Sequence, residues 1–227
     1  EQQMTVDAMS KFAEEVLYAL AHDADHQAQF PEQLWQHLVD LGLNYYALPE
    51  ALGGVAAEQN IVSNILIAES LAKGDFSLTA GLLSTFSVIN AITRWGSTQV
   101  QSMYLPVFAE DTDVTATFAF QEATPAFNPY QLKTKATEQN GQMTITGEKT
   151  LVILGDTADV FLVSAEFNGQ PDIFVVQSNE TIAIKANPAM GLKAAETATL
   201  QFNQTPALRL GDTDFDYTAF VDLGNLM

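Results

Sequence analysis

Three observations predict an α+β chain of two domains, an all-α helical bundle followed by an antiparallel β-barrel or sandwich. Apolar residues recur at helical spacing from Asp7 to about Pro106. Near Asp111 the period drops to two, with Val114, Ala116, Phe118 and Phe120 alternating with Thr115, Thr117 and Ala119. The chain has 227 residues, 47% of them hydrophobic and only 16% charged, enough to fill two sizeable cores.

In the first half, Met9, Phe12, Ala13, Val16, Leu17 and Leu20 make one buried stripe and predict the first helix. Pro31 opens a second through Leu34, Leu38 and Leu41, with Gly42 as its stop. Residues 48–54, Leu-Pro-Glu-Ala-Leu-Gly-Gly, read as a loop. A third helix is expected from about Glu58 to Lys73, with Gly74 as C-terminal cap. Asp75 or Ser77 caps a fourth, which carries Leu82, Leu83, Phe86, Ile89 and Ile92 and stops at Trp95-Gly96. Ser97 caps a fifth through Tyr104. After a linker near Ala109 to Asp113, further strands are expected at 132–137, 143–154, 160–166, 173–177, 182–186 and 198–202. Asn140-Gly141 and Asn168-Gly169 supply turns between them. The domain boundaries read as 1–110 and 111–212, with 213–227 beginning a further helical unit.

Composition excludes several functions. Nine basic residues against 28 acidic ones give a net charge of −19, which repels nucleic-acid phosphate and anionic lipid. No cysteine is present, so disulfides, thiolate nucleophiles and the usual zinc cages are out. His22 and His26 stand four apart without a third ligand at suitable spacing, and no metal site is predicted. No uninterrupted apolar run approaches the roughly 18 to 20 residues of a membrane span, and no signal peptide is evident. The expected compartment is the cytoplasm, with neither nucleic acid nor membrane as partner.

Local sequences carry a resemblance. Leu48-Pro49-Glu50 with Gly53-Gly54, Trp95-Gly96-Ser97 followed by Tyr104-Leu105-Pro106, and Thr134-Lys135-Ala136 with Gly141 occur in order along the chain. They continue with Thr146-Gly147-Glu148-Lys149 and then Gly191-Leu192-Lys193 with Glu196-Thr197 and Phe202. Together these segments resemble the first two domains of the acyl-CoA dehydrogenase family. The resemblance implies FAD as cofactor, acyl-CoA or a related thioester as substrate, and a homo- or hetero-oligomer. It also implies α,β-dehydrogenation, in which a carboxylate takes the α-proton and the β-hydride passes to the flavin. That carboxylate belongs to a third, helical domain of the family, so no residue here is assigned as catalytic base.

The resemblance places cofactor contacts at Phe118, Phe120, Gln121, Leu151 and Ile153, and substrate contacts at Leu83, Phe86, Ile89 and Phe127. Where relatives carry a Thr-Glu-Pro-Gly-x-Gly-Ser-Asp type motif, this chain reads Gln121-Glu122-Ala123-Thr124-Pro125-Ala126-Phe127-Asn128, retaining Glu122. Where relatives carry Trp-x-Thr, it reads Leu151-Val152-Ile153. Hydroxyl and ring contacts to a flavin are thereby exchanged for apolar ones, although the Gln121 amide keeps donors. Glu122 is expected to act structurally, through backbone hydrogen bonds. Two alternatives follow from these departures: a non-catalytic subunit or pseudoenzyme with a degenerate FAD site, and a related flavin oxidase or monooxygenase on a non-CoA substrate.

Overall fold

The structure, a computed structural model, describes residues 2–55, 61–110, 114–212 and 214–224. The predicted first helix is one long rod: α1 (Gln2–Phe12), a π-helical segment (Ala13–Leu17) and α2 (Tyr18–Gln27) follow without a break. Met9, Ala13 and Leu17 are its buried stripe. α3 (Gln33–Leu41) ends where Gly42 takes a left-handed φ of 65°, a conformation with little penalty for glycine. A short 3₁₀ turn, Leu43–Tyr46, follows directly, and a second, Glu50–Leu52, lies within the loop predicted at 48–54. α4 (Ile61–Ala72) follows; the predicted start at Glu58 lies outside the described residues.

α5 (Phe76–Trp95) is the axis of the bundle. The Asp75 carboxylate accepts the Leu78 N–H at 2.8 Å, closing its N-terminus. By length and hydropathy this helix suffices to cross a membrane, contrary to the expectation that no such run exists. However, 61% of its most apolar window is buried inside the protein, which marks a core helix. α6 (Thr98–Glu110) outruns the predicted end at Tyr104 and carries Pro106 within it. Proline deprives the Ser102 carbonyl of its helical donor, yet Ser102 is exposed and Tyr104, Leu105 and Phe108 stay buried along the helix.

Seven strands form the second domain: β1 (Ala116–Ala119), β2 (Lys135–Gln139), β3 (Gln142–Val152), β4 (Val160–Phe167), β5 (Gln170–Gln177), β6 (Ile182–Ala186) and β7 (Ala198–Arg209). Pairings run β4–β2–β3–β7–β5 and return from β5 to β4, which closes a barrel. β6 joins the free edge of β7, and β1 lies beside β4 in parallel, Ala116 opposite Val160 and Ala119 opposite Val163. The sheet is therefore mixed and not purely antiparallel. Parallel pairing arises because β1 reaches β4 by way of the loop at 120–134 and the β2–β3 hairpin, a crossover instead of a tight turn.

β4 is buried on both faces, so one alternate set serves each core. Phe161, Val163 and Ala165 point into the barrel with Ile145, Phe174 and Phe202, whereas Val160 and Leu162 join the core shared with the bundle. Hydrogen bonds lock the domains together. The Ala116 N–H donates to Thr85 Oγ1 on α5 at 2.9 Å, and the Ser97 N–H donates to the Leu210 carbonyl at 2.7 Å. α7 (Tyr217–Gly224) then packs against β5 and meets Phe118 of β1 through Phe220, burying Phe220 and Val221.

Candidate functional site

The union of α5 with β1 and β3 leaves a cleft of about 310 Å³. α5 lines it with Phe76, Thr79, Ala80, Leu83, Ser84 and Ser87, spaced i, i+3, i+4, i+7, i+8 and i+11 and hence on one face of the helix. Small side chains dominate that face, which keeps the helix surface shallow and the cleft open. Thr117 and Phe118 of β1, with Leu151 and Ile153, form the opposite wall. A second cleft of about 280 Å³ adjoins the first along α4 and α5, sharing Ala68, Ala72, Phe76, Leu83 and Ser87 with it.

Leu151 owes its position to a β-bulge. β3 pairs Lys149 with Leu200 and Val152 with Ala198, so Thr150 and Leu151 face a single residue of β7. Lys149 and Val152 are buried, while Leu151 is 50% exposed at φ 55° and turned to the cleft. A branched aliphatic residue in the left-handed region is held there at a conformational cost of roughly 1 kcal/mol. Leu151→Gly is accordingly expected to keep or raise folding stability, by up to about 1 kcal/mol, while removing one wall of the cleft. Chemical denaturation checks this; a loss above that size would show Leu151 to be a packing residue first.

The loop that leaves β1 is fixed by a buried ion pair. Glu122 accepts the Lys133 N–H at 2.8 Å, the Thr134 N–H at 2.9 Å and the Lys149 ammonium at 2.9 Å. Lys149 spends its other donors on the Phe120 carbonyl at 3.1 Å and on Ser164 Oγ at 2.9 Å. Burial alone pushes the Glu122 carboxyl up, but the two backbone N–H groups and Lys149 outweigh it and hold the pKa below the ordinary value. Burial lowers Lys149 to about 8 against the opposing pull of Glu122. With both oxygens engaged as acceptors, Glu122 is a structural carboxylate and not a general base.

The residues singled out from the sequence divide into groups. Phe118, Leu151, Ile153 and Leu83 meet at the cleft, and Phe86 lines the adjoining one. Ile89 is fully buried in the bundle core, on a different face of α5 from the cleft. Gln121 is exposed and its carbonyl accepts the Thr150 N–H at 2.8 Å beside the bulge. Phe120 turns toward α7, stacking with Tyr217 at 6.4 Å and Phe220 at 6.4 Å and meeting Phe127 edge-on at 6.3 Å. The Tyr217 hydroxyl donates to the Pro129 carbonyl at 2.8 Å, fastening α7 to the same loop. Sequence reasoning missed the small-residue face of α5 because it tracked large apolar side chains; the spacing of Thr79, Ala80, Ser84 and Ser87 was the available signal.

A flavin dinucleotide sets two demands, an apolar wall for its ring and donors or cations for its phosphates. The cleft meets the first. It meets the second poorly: Thr79 Oγ1 and Ser84 Oγ donate back to the Asp75 and Gly81 carbonyls, Ser87 and Thr117 offer hydroxyls alone, and no lysine, arginine or histidine is among the described residues that line either cleft. Nor is any group of three or more His, Asp or Glu arranged for a metal among the described residues.

Comparison with known proteins places this geometry. Residues 1–112 match the model of the acyl-CoA dehydrogenase N-terminal domain and residues 117–205 that of the acyl-CoA dehydrogenase middle domain. The chain is 28% identical over 165 residues to cyclohex-1-ene-1-carbonyl-CoA dehydrogenase of Geobacter metallireducens, covering 73% of this chain and 43% of that protein. It is 27% identical over 207 residues to the mitochondrial short/branched chain specific acyl-CoA dehydrogenase of Rattus norvegicus, covering 88% and 47%. The chain thus spans about half the length of the curated relatives it matches. The solved glutaryl-CoA dehydrogenase of Mycobacterium smegmatis superposes with a TM-score of 0.85 at 22% identity, over all of this chain and 59% of that one, a likeness of fold. With both domain models matched in order across the helical bundle and the barrel, the chain belongs to the acyl-CoA dehydrogenase family.

Proposed function

We propose that the chain forms the N-terminal and middle domains of an acyl-CoA dehydrogenase-like flavoprotein, an oxidoreductase that introduces an α,β double bond into acyl thioesters in fatty-acid metabolism. The observation that carries this reading is the apolar cleft between the small-residue face of α5 and the wall of Phe118, Leu151 and Ile153. It binds an acyl chain by excluding water from it, and its rigid walls orient the chain through packing. The residues here fit a ring wall and an aliphatic chain but not the phosphates of FAD or CoA, so no chemical step is assigned to the cofactor on this chain. In this reading the cations for those phosphates come from a partner subunit of a homo- or hetero-oligomer, or from chain beyond these residues, and the compartment is the cytoplasm.

A second reading, a non-catalytic subunit of the same fold, is favoured by Leu151-Val152-Ile153 and by the absence of cationic groups on the described cleft lining. A visible absorption spectrum after FAD addition and gel filtration separates the two. Flavin bands retained near one per chain are the expected result for the flavoprotein. A colourless protein would remove FAD binding by this chain alone and leave the subunit reading.

A further inference from the structure

A half-buried ring beside an open cleft is free to change rotamer unless a neighbour packs against it. Phe118 is such a ring: it lines the cleft from β1 and is half-buried. Phe220 of α7, which lines neither cleft, meets it at 6.1 Å between ring centroids with an interplanar angle of 60°. Phe220 is itself buried and held from several sides. Trp95 of α5 meets it edge-on at 5.0 Å, and Phe215 and Phe120 stand at 5.7 Å and 6.4 Å. Trp95 ends the same helix whose small-residue face makes the other wall, about 12 Å beyond Ser87 at the helical rise. One buried ring thus links the two elements that carry the opposing walls.

We propose that Phe220 is a positioning residue, which holds the Phe118 ring in place against the cleft before an acyl chain enters. The inference rests on the acyl-thioester reading above, since it takes the acyl chain as the occupant of the cleft. A side chain that must be ordered on binding takes its lost freedom out of the affinity, whereas one ordered beforehand does not. Ring-on-ring packing fixes orientation as well as burying area, so leucine at 220 keeps the apolar contact without fixing the ring. A plain core role makes a different prediction. In that case every ring of the cluster would act alike, and Phe215, which meets Phe220 but lines neither cleft, supplies the comparison.

The test is calorimetric titration of the purified protein with octanoyl-pantetheine, an acyl thioester without phosphates and so without need of a cation at the site. The variants are Phe118→Leu, Phe220→Leu, the double variant of these two and Phe215→Leu, with Phe220→Met as a second substitution of the same kind. Phe118→Leu and Phe220→Leu are each expected to weaken binding about five-fold. Because Phe220 acts through Phe118, the double variant should lose about the same five-fold and not the roughly 25-fold product of independent sites. Phe215→Leu should lower the melting temperature and leave the affinity unchanged. Independent losses in the double variant, wild-type affinity with both Phe220→Leu and Phe220→Met, or an equal loss in Phe215→Leu would overturn the positioning role and leave the acyl-thioester reading intact. Failure of the wild type to bind the thioester would overturn that reading and this inference with it.

Discussion

Glu122→Ala is expected to lower folding stability by about 3–5 kcal/mol, the usual result of removing one partner from a buried ion pair. The reason lies in what remains. Lys149 is 0% exposed, and without Glu122 its ammonium faces only the Phe120 carbonyl and Ser164 Oγ. The Lys133 and Thr134 N–H groups lose their acceptors in the same step. Replacing both charges, as Glu122→Leu with Lys149→Met, should recover part of the loss, since the stranded ammonium disappears while the two amides stay unpaired. Urea denaturation of the single and double variants reads this directly. A Glu122→Ala loss below about 1 kcal/mol would mean that water reaches the pair and that the loop is not fixed by it.

The pair also sets a pH dependence. Glu122 has a folded pKa below its unfolded one, so its contribution is present above the ordinary carboxylate value and fades as pH falls through the lowered value. Lys149 works the other way: with a folded pKa of about 8, the native state binds fewer protons than the unfolded chain between 8 and the ordinary lysine range. Its buried charge is a penalty that is full below pH 8 and relieved above it. Stability from this pair therefore falls on the acid side and rises on the alkaline side.

Much of this architecture is legible in the sequence because it rests on periodicity. The apolar stripe of α1 and α2, the Asp75 cap of α5 and the alternation of β1 are local signals, and local structure follows them. Features that depend on tertiary partners are not. Pro106 sits inside α6 because burial of Tyr104, Leu105 and Phe108 outweighs its helix-breaking tendency. β1 pairs in parallel with β4 because of a crossover that no short window records. At the site, residue identity suggests which positions matter but not where they face. Phe118 and Phe120, two apart on an extended segment, both meet Phe220 of α7, yet Phe118 also lines the cleft while Phe120 stacks against Tyr217. Leu151 gains its exposure from a bulge that becomes visible only once the register with β7 is known.

Gly81→Ala shows how finely α5 is seated, and it is expected to destabilise the protein by about 1–2 kcal/mol even though alanine is the better helix former. A Cβ at Gly81 would lie 2.4 Å from Cε2 of Phe30 and 2.8 Å from its Cδ2, well inside van der Waals contact. Phe30 cannot yield easily, being 4% exposed and packed on Trp35 at a ring separation of 4.9 Å. The propensity gain of about 1 kcal/mol in a helix interior opposes an overpacking cost of typically 1–3 kcal/mol or more, and an overlap this deep belongs at the upper end. Relief must come from a shift of α5 away from Phe30, and the neighbouring residues Ala80 and Ser84 line the cleft. The substitution should therefore change cleft binding as well as stability. Pairing Gly81→Ala with Phe30→Leu, which withdraws the ring, should restore much of the loss in a double-mutant cycle. If Gly81→Ala alone were neutral or stabilising in denaturation, the helix would have room to move, and the Phe30 contact would not be what positions the cleft face.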